Sequence, residues 1–509
     1  MPSFDYHALL PEFIIGASLL AAIVVDLVMP PERKYLAGVV GLLGLVAASF
    51  PLLTLATCGS IDGCDGGLPR SMFGGSYVVD EFALVLKGLF ILTGVVTLLL
   101  SVGFIESDRY YEGEFYFLVM ASVAGAVIMA SSRDLITLFV ALELVSGPAF
   151  LLAGWRKGDL RSNEAALKFF LIGVLSSAIL LFGMSLVYGT TGSVTFEGIR
   201  AATLAPGVAL AEEPVFVLGV IFVLVGFGFK ISAVPFHFWA PDTYQGAPLP
   251  VAAYLSVGSK AAGFVGLLTL CYLAFAGVRD IWGPILWLLA ALSMTVGNLV
   301  ALRQTNVVRL LGYSSVAHAG FILVPFAMAA ALDADGLGDA FFGSVTYLLV
   351  YAFMNLGAFA AVMAAAEKAG SAELDDFGGL SRYAPGVAAM VALFFFSLAG
   401  IPPLAGWFAK FVMFRAVLIE SGNAWAVGLA IVAAVNAVIA LFYYAKVVKA
   451  MYFDGVPDRI DADAAGARSL ARPLVLAIGL TAAAVLVAGF FPQILAFFGD
   501  ATRAIALGG

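Results

Sequence analysis

The stretch that decides the fold is PVFVLGVIFVLVGFGFKISAVPFHFW, residues 214–239. It is long enough to cross the roughly 30 Å hydrocarbon core of a membrane as a helix, and its one formal charge is Lys230. Pro235 follows five residues later. Because proline lacks an amide donor and clashes with the preceding turn, it predicts a break in the helix at membrane depth. Irregular backbone persists inside a bilayer only where it is buried in protein or lines a cavity.

The rest of the chain has the composition of a membrane protein. Of its 509 residues 62% are hydrophobic and 12% are charged, and the mean hydropathy is +1.03, whereas a soluble protein carries about 25% charged residues. We predict an all-α polytopic membrane protein, one membrane domain over residues 1–509, with about fourteen transmembrane helices. The predicted spans lie near residues 9–29, 35–57, 78–102, 114–130, 134–153, 165–188, 214–239, 248–277, 281–302, 309–331, 339–366, 386–420, 423–448 and 473–498.

Lysine and arginine are unevenly distributed between the two sides of these spans. Fifteen of the 26 fall in loops on one side, five in loops on the other side and six within helices. Because cytoplasmic loops carry the excess of basic residues, both termini are predicted on the non-cytoplasmic side.

A second interrupted segment is SLAGIPPLAGWFAKF, residues 397–411, in the twelfth predicted span. A Pro-Pro pair breaks the helix there, and Lys410 follows it. Interrupted helices at corresponding places point to an internal repeat, and an odd offset of five spans turns the second copy upside down. We predict two inverted five-helix repeats, residues 114–277 (spans four to eight) and 281–448 (spans nine to thirteen). The match is imperfect, since Lys230 precedes its proline whereas Lys410 follows its own.

Five ionisable side chains lie deep inside predicted spans: Glu143, Lys230, Lys260, His318 and Lys410. Counting about 1.5 Å per residue from the predicted helix ends places all five near the middle of the bilayer, in a row parallel to its plane. A charge at that depth costs roughly 2.5–3.5 kcal/mol or more, so such groups pair with one another, line water or carry ions. Proton handling fits this pattern: a Glu143–Lys230 pair would hold a proton until disturbed, and histidine suits a relay between lysines.

Plainer interpretations exist for several positions. A basic residue near a helix end often extends its charge to the membrane surface. That alternative applies to Lys87, Lys168 and Arg415. His318 could be a hydrogen-bonded core histidine, and structural roles near the interfaces are expected for Asp26 and Asp134.

Motifs for redox or nucleotide chemistry are absent from the sequence. It has no CxxC pair, no GxGxxG and no GxxxxGK[ST], and three histidines are too few for a haem or iron–sulfur site on this chain. No cofactor is therefore expected here. Cys58 and Cys64 share a non-cytoplasmic loop, where they could form a disulfide or remain free thiols, and Cys271 is expected in the apolar core.

Several longer phrases resemble one family. PFHFWAPDTYQGAPLPVAAYLSVGSKAAGF (residues 235–264) is similar to a signature of the antiporter-like subunits of proton-pumping NADH:quinone oxidoreductase, respiratory complex I. The likeness runs over essentially the whole chain. It continues in LFVALELVSGPAFLLAG (138–154), NEAALKFFLIG (163–173), LLGYSSVAHAGFIL (310–323) and GIPPLAGWFAKF (400–411).

This resemblance implies roles for individual residues. Glu143 would pair with Lys230 at the head of a proton channel. Lys260 and His237 would form the central relay. Lys410 would be the terminal site, exchanging protons with the outside or with the adjoining subunit.

The resemblance also implies that Lys168 modulates this network and that His318 occupies the matching position on the tenth span. The implied partners are the other membrane subunits of complex I, including a second antiporter-like subunit, and membrane lipid, with no nucleic acid. Flavin and iron–sulfur clusters are expected in partner subunits, and quinone is used by the complex without binding here. The implied location is the bacterial inner membrane.

The resulting hypothesis is a proton-translocating membrane subunit driven by redox chemistry in partner subunits. The nearest alternative is a subunit of a multisubunit cation/proton antiporter or a membrane-bound hydrogenase, which shares the fold and much of the motif. A second alternative is a passive scaffold whose charges hold the complex together. A self-contained secondary transporter is less favoured, because no feature indicates a substrate pocket.

Overall fold

The computed structural model of the protein describes residues 4–58, 67–106, 113–205, 210–418 and 423–503. Most of this chain is helical. The helices in chain order are α1 (Leu10–Val28), α2 (Tyr35–Thr57), α3 (Glu81–Glu106), α4 (Glu114–Ser131), α5 (Leu135–Ala153), α6 (Leu160–Thr191), α7 (Phe196–Leu204), α8 (Pro214–Lys230), α9 (Trp239–Gly246), α10 (Leu249–Tyr254), α11 (Lys260–Thr269), α12 (Arg279–Ala301), α13 (Val307–Ala327), α14 (Ala334–Ala369), α15 (Leu380–Tyr383), α16 (Pro385–Ala399), α17 (Ala405–Leu418), α18 (Ala424–Phe453), α19 (Ala462–Ala467), α20 (Arg472–Phe490) and α21 (Gln493–Asp500).

Shorter elements connect these helices. Strands β1 (Arg70–Met72) and β2 (Tyr77–Val79) form one antiparallel hairpin, in which Arg70 faces Val79 and Met72 faces Tyr77. Short 3₁₀ turns lie at Pro31–Arg33, Phe73–Gly75, Leu210–Glu212, Ala276–Val278, Ala329–Ala331 and Leu374–Phe377.

Twelve of the fourteen predicted spans are present in the described ranges as helices long and apolar enough to cross a membrane. The other two, the seventh and the twelfth, are the predicted broken ones. Their first halves are the shorter apolar helices α8 and α16, and their second halves are α9 and α17. The prediction of an all-α membrane bundle with about fourteen spans and two broken helices is confirmed. The eighth span, Leu249–Ala274, joins α10 and α11 through π-helical turns at Leu255–Ser259 and Leu270–Ala274.

The inside of the bundle is formed by the eighth span, α13 and α14. Nearly all residues of these segments are buried, whereas α1 and α18 expose much of their apolar surface. Apolar side chains on the outside of a membrane bundle face lipid chains as apolar as themselves. Ionisable side chains on the inner helices are therefore separated from lipid by a layer of protein.

The first break follows α8 and is stabilised by side chains. Ser232 has a left-handed backbone (φ 58°). The amide of Val234 donates to Ser293 Oγ of α12 (2.9 Å), and Trp239 Nε1 donates to the Phe229 carbonyl near the end of α8 (3.2 Å). Backbone groups freed by the break thus find hydrogen-bond partners within the protein, as irregular backbone at membrane depth requires.

The second break is closed by a lysine. Gly400 follows α16 in a left-handed conformation (φ 90°), which favours glycine. From α17, Lys410 Nζ donates to the carbonyls of Ala399 (2.6 Å) and Leu398 (3.3 Å). The ammonium therefore caps the electronegative C-terminal end of α16. Lys410 follows its prolines in sequence, yet its ammonium lies at the end of the half-helix before them, which is where Lys230 also lies in α8.

Two isolated β-bridges occupy corresponding places in the chain. Asp134, the N-cap of α5, pairs antiparallel with Thr195 beyond α6. Asn306, the N-cap of α13, pairs in the same way with Glu373 beyond α14. In both cases the start of one helix is tied to the segment that follows the next helix. This correspondence supports the inverted repeat, which remains a prediction.

Candidate functional site

Lys230 and Glu143 form an ion pair, with Lys230 Nζ 3.7 Å from Glu143 Oε1. The ammonium donates a shorter hydrogen bond to Ser146 Oγ (2.6 Å), and Ser177 Oγ donates to Glu143 Oε1 (2.6 Å). Glu143 and Ser146 are three residues apart on α5 and therefore share a face. Lys230 is 4% exposed, whereas the Glu143 side chain is 35% exposed. The carboxylate thus links the buried ammonium to the outside of the bundle.

Lys260 is the first residue of α11 and directly follows the π turn Leu255–Ser259. It is 1% exposed, and its Nζ donates to the Ser315 carbonyl (2.7 Å) and to Ser315 Oγ on α13. Within the ranges that the structure describes, no carboxylate forms an ion pair with it. A π turn displaces the residues after it relative to a regular α-helix, and such turns are frequent at functional sites. Neutral oxygen atoms therefore hold this buried cation.

His318 is buried on α13 and hydrogen-bonded at both ring nitrogens. Nδ1 lies 3.0 Å from Tyr347 OH, and Nε2 lies 3.3 Å from Tyr444 OH. Tyr444 OH is also hydrogen-bonded to Ser314 Oγ. Ser315, which holds the buried lysine, is three residues before His318 and shares its helix face. The geometry agrees with a hydrogen-bonded core histidine, and it also surrounds the imidazole with hydroxyl groups that can both donate and accept.

Lys410 is 7% exposed, and the Phe321 ring lies between it and His318. Its ammonium lies 5.2 Å from the centroid of the Phe321 ring, and that ring is 5.9 Å from the His318 ring. Phe321 thus lies between the imidazole and the lysine that caps α16. A cation over an aromatic face is attracted by the ring quadrupole, so Phe321 contributes to holding the ammonium at this depth.

Lys230 and Lys260 lie close together, because α11, which begins with Lys260, packs against Lys230. Gly263 packs against Lys230 so closely that a Cβ there would lie 3.0 Å from Lys230 Cβ. Lys260 lies one turn earlier on the same helix. The structure therefore brings together Glu143 with Lys230, places Lys260 beside that pair, and continues through α13 to His318 and Lys410.

His237 lies in the break between α8 and α9 and is 9% exposed. Its ring is 5.0 Å from the Phe238 ring and 6.5 Å from the Tyr313 ring. Among the described residues no hydrogen bond joins His237 to Lys260. The structure thus places His237 in the break and Lys260 in the eighth span, without a hydrogen bond between these two described residues.

Lys168 pairs with the second half of the broken helix, and among the described residues no hydrogen bond or ion pair joins it to Glu143 or Lys230. Its Nζ lies 2.6 Å from Glu164 Oε1 on the same helix and 2.7 Å from Asp242 Oδ2 on α9. Asp242 Oδ1 also pairs with Arg309 of α13 at 2.6 Å. The carboxylate therefore ties α9 to α6 and α13 at once.

A buried cluster was missed by the sequence reasoning. Lys87 is 0% exposed and pairs with Glu12 at 2.7 Å, next to Tyr77. The alternative that Lys87 extends its charge to the membrane surface is therefore wrong. Its apolar surroundings in α3 were the available signal, but no local pattern indicates that Glu12 of α1 lies opposite.

Asp26, Asp134 and Arg415 form ion pairs or cap a helix end. Asp26 pairs with Lys34 at 3.2 Å, and Asp134 caps α5 by accepting two backbone amides. Arg415 is 49% exposed and pairs with Asp339 at 3.5 Å.

The cysteines fall into two groups. Cys58 is disulfide-bonded, and Cys64 lies outside the described residues. Cys271 is a buried free thiol, as expected. In the part of the chain that the structure describes, no three His, Cys, Asp or Glu side chains are grouped so as to hold a metal ion.

The chain is similar to known proteins over nearly its full length. Residues 132–439 match the family described as NADH:quinone oxidoreductase/Mrp antiporter, TM. NADH-quinone oxidoreductase subunit N 2 of Streptomyces griseus subsp. griseus is 42% identical over 506 residues, covering 96% of this chain and 92% of the relative. A chain of respiratory complex I from Thermus thermophilus is 32% identical with a TM-score of 0.72, covering 98% of this chain and 100% of that chain.

A chain of the Mrp complex from Dietzia sp. DQ12-45-1b superposes with a TM-score of 0.83 at 21% identity, covering 99% of this chain and 100% of that chain. At that identity the likeness shows the fold alone. Within the family, the phrase TYQGAP at residues 243–248 and a lysine instead of a glutamate at position 410 are similar to subunit N. The chain belongs to the NADH:quinone oxidoreductase/Mrp antiporter family of membrane subunits, as a member of the subunit N type.

Proposed function

We propose that this chain is a proton-translocating membrane subunit of an NADH:quinone oxidoreductase, moving protons through a buried Glu/Lys/His relay. The observation that carries the proposal is the succession of Lys230, Lys260, His318 and Lys410 along neighbouring helices beside two helix breaks. The name of the Streptomyces relative supports the choice of complex. Ionisable residues inside membrane spans commonly mark ion or proton pathways.

Glu143 and Lys230 form the head of the relay. The carboxylate is 3.7 Å from the ammonium and is partly exposed, so a charge that appears outside the bundle near Glu143 changes how firmly Lys230 holds its proton. Ser146 lies at 2.6 Å and keeps the ammonium hydrogen-bonded when Glu143 turns away. The pair therefore works as an electrostatic switch, and its two members titrate as a coupled unit.

Lys260 and His318 form the middle of the relay. Ser315 of α13 holds the Lys260 ammonium. The preceding residue of α13, Ser314, is hydrogen-bonded to Tyr444 of α18, whose hydroxyl contacts the His318 imidazole. Hydroxyl groups both donate and accept hydrogen bonds, so they can pass a proton from one neighbour to the next. His237, which lies in the break between α8 and α9, is assigned to the same middle part of the relay.

Lys410 is the terminal site, and Lys168 modulates the head. Lys410 loses or gains its proton at the C-terminal end of α16, where the peptide carbonyls favour a positive charge. Lys168 acts through Asp242, because that carboxylate positions α9 directly after the break. The predicted repeats, residues 114–277 and 281–448, each contribute one broken helix to this arrangement.

The energy for translocation comes from partner subunits. We propose that this chain is a non-redox subunit of the enzyme complex, that flavin and iron–sulfur clusters are held by other chains, and that quinone is bound elsewhere. Its partners are the other membrane subunits, including a second antiporter-like subunit, and membrane lipid. The proposed location is a bacterial inner membrane with both termini on the non-cytoplasmic side.

The alternative of a multisubunit cation/proton antiporter is favoured by one observation, the superposition on the Mrp chain. That likeness concerns the fold, whereas the relative at 42% identity is named for the quinone-reducing complex. Purification of the native assembly separates the two. Flavin- and iron–sulfur-containing partners support the proposal, and their absence from an intact assembly favours the antiporter.

Lys230→Ala in the complete complex tests the function. Proton uptake by proteoliposomes and quinone reduction are measured together, and both are expected to fall because the head of the relay is lost. Lys449→Ala is the matched control, since Lys449 is 71% exposed and pairs with Asp454 at 3.9 Å, outside the proposed relay. Unchanged pumping and turnover in an assembled Lys230→Ala complex would refute the proposed function.

A further inference from the structure

A second set of buried ionisable groups lies near the ends of α1 and α3, apart from the relay. Lys87 Nζ lies 2.7 Å from Glu12 Oε1 and donates to Tyr77 OH at 3.2 Å. Tyr77 OH in turn donates to Glu12 Oε1 at 2.5 Å. The three side chains form a closed triangle of contacts, called here the outer triad (Glu12, Tyr77, Lys87). It lies on the side of the membrane where the N-terminus is predicted.

A neighbouring ion pair, Arg133 with Asp80, has a structural role. Arg133 and Asp80 pair at 2.7 Å. Asp80 Oδ1 also accepts the Ala83 amide (2.8 Å) at the start of α3, and Arg133 donates to the carbonyls of Ala130 (3.1 Å) and Ser132 (3.0 Å). This pair therefore satisfies backbone groups at helix ends.

The outer triad differs, because among the described residues its side-chain polar atoms bond to one another and, at Tyr77, lie against the Ser131 side chain, rather than satisfying backbone groups. A buried ion pair adds little net stability, since the loss of hydration offsets the Coulomb attraction. Anchoring α1 therefore does not account for a wholly enclosed lysine, because α1 already packs against α2 and α4.

Glu12 gives the outer triad a connection to the outside. Its side chain is 14% exposed, whereas Lys87 is fully enclosed. Glu12 Oε2 is buried and has no hydrogen-bond partner among the described residues. A buried acceptor without a partner calls for an explanation such as a water or a proton that it receives.

Helix α3 connects the outer triad with the relay. Thr93 packs against Gly258 in the π turn before Lys260, where a Cβ on Gly258 would lie 3.2 Å from Thr93 Cγ2. Lys87 is six residues before Thr93, which is about 9 Å along a helix. The outer triad and the π turn that precedes Lys260 therefore contact the same helix.

We propose that the outer triad is a proton-release site of this subunit. Lys87 gives its proton to Glu12, which leaves a neutral amine and a neutral carboxyl group. Glu12 then releases the proton to water on the outer side and regains its charge, and the Lys87 amine takes the next proton from the relay. Tyr77 holds the carboxylate and the ammonium in line. This inference rests on the proposed translocating function.

Lys87→Arg in the complete complex is the decisive variant. A guanidinium keeps the charge and the ion pair with Glu12, but it does not deprotonate in proteins. Pumping and turnover are expected to fall by roughly tenfold or more, because a positioned proton-transfer group contributes about 10²–10⁴-fold. Lys34→Arg is the matched control, since Lys34 at the start of α2 pairs with Asp26 of α1 at 3.2 Å, and this variant is expected to leave pumping unchanged.

A second variant tests the proposal if the Lys87→Arg complex does not assemble. Glu12→Gln with Lys87→Met removes both charges and retains the packing, so it assembles and pumps normally if the pair is only an anchor. Slow pumping in an assembled double variant supports release through the outer triad. Normal pumping in either assembled variant overturns the proposal, and so does loss of assembly in both.

The same measurements separate the two proposals. Slow pumping in Lys230→Ala together with normal pumping in the outer-triad variants refutes the release site alone. Normal pumping in Lys230→Ala refutes the proposed function itself.

Discussion

Lys410 and Ala399 are joined by a 2.6 Å hydrogen bond from the ammonium to the last carbonyl of α16. The same ammonium lies 5.2 Å from the Phe321 ring, which adjoins His318. One side chain therefore closes a helix break and ends the row of ionisable groups. Substitutions at this position affect both roles, and a useful variant has to separate them.

Lys410→Arg separates the two roles, because a guanidinium still donates to the Ala399 and Leu398 carbonyls but stays protonated. We expect normal assembly with turnover and pumping lowered by roughly tenfold or more, as for loss of a proton-transfer group. Lys410→Ala removes the cap as well, and each carbonyl left buried without a donor costs about 1–3 kcal/mol. Its assembly is therefore expected to be weaker than that of the arginine variant.

The passive-scaffold alternative makes the opposite prediction for the same pair of variants. If the charge at Lys410 only holds the complex together, Lys410→Arg retains full turnover and only Lys410→Ala is impaired. Measuring assembled complex by native gel and turnover per assembled complex distinguishes the two outcomes.

Glu143→Gln is expected to slow pumping while leaving assembly intact. The amide keeps the shape of the side chain and still accepts the Ser177 hydrogen bond, but it removes the negative charge 3.7 Å from Lys230. Turnover and proton uptake are measured on the complete complex. Asp454→Asn is the control, because Asp454 is 51% exposed and its pair with Lys449 lies outside the relay. Equal activity of the two variants would remove Glu143 from the relay.

Near the two breaks, the sequence predicts the backbone but not the positions of the side chains. Proline forces a local backbone change, so both broken helices were predictable from Pro235 and from the Pro402–Pro403 pair alone. The position of the Lys410 ammonium was not, because it depends on α17 folding back along α16. In sequence, Lys230 precedes its proline and Lys410 follows its own, so the repeats match imperfectly. In the structure both ammonium groups lie at the end of the half-helix before the break, so the positions correspond.

Side-chain partners from distant helices lay beyond the sequence. Depth counting placed Lys87 near a helix end, where a surface-directed charge is a common outcome. Its burial depends on Glu12 of α1, which packs against α2 and α4, and on the β-hairpin that carries Tyr77. In the same way, nothing local in the sequence indicates that Tyr444 and Tyr347 enclose His318.

Tyr444→Phe tests the link between the middle and terminal parts of the relay. It removes one hydroxyl group that contacts both Ser314 Oγ and His318 Nε2, and it keeps the ring that packs against Phe395. Because Nε2 is 3.3 Å from that hydroxyl and Nδ1 keeps its bond to Tyr347, the histidine stays in place. We expect normal assembly and severalfold slower pumping.

Tyr443→Phe is the matched control for that variant. The Tyr443 hydroxyl donates to Asn298 Oδ1 (3.0 Å) and lies beside Tyr444 and Ser314, but among the described residues no hydrogen bond joins it to His318. Both variants remove one buried hydroxyl from α18, so a purely structural effect lowers the two activities alike. A larger loss in Tyr444→Phe than in Tyr443→Phe supports the relay, and equal losses argue against it.

Asp242→Asn tests whether the second half of the broken helix has to be held for the relay to work. Asp242 pairs with Lys168 at 2.7 Å and with Arg309 at 2.6 Å, and its side chain is 28% exposed. Partly exposed ion pairs contribute about 0–1 kcal/mol each, so the melting temperature of the complex is expected to fall only slightly. Pumping is expected to fall further than stability, because α9 follows directly on the break beside Lys230.

The comparison with Glu164→Gln makes this last expectation specific. Glu164→Gln removes only the pair within α6, whereas Asp242→Asn removes the ion pairs that join α9 to both α6 and α13. If Lys168 acts on the relay through its own charge, the two variants slow pumping equally, since each removes one carboxylate from that lysine. If it acts by positioning α9, only Asp242→Asn slows pumping, which is the outcome that the geometry favours.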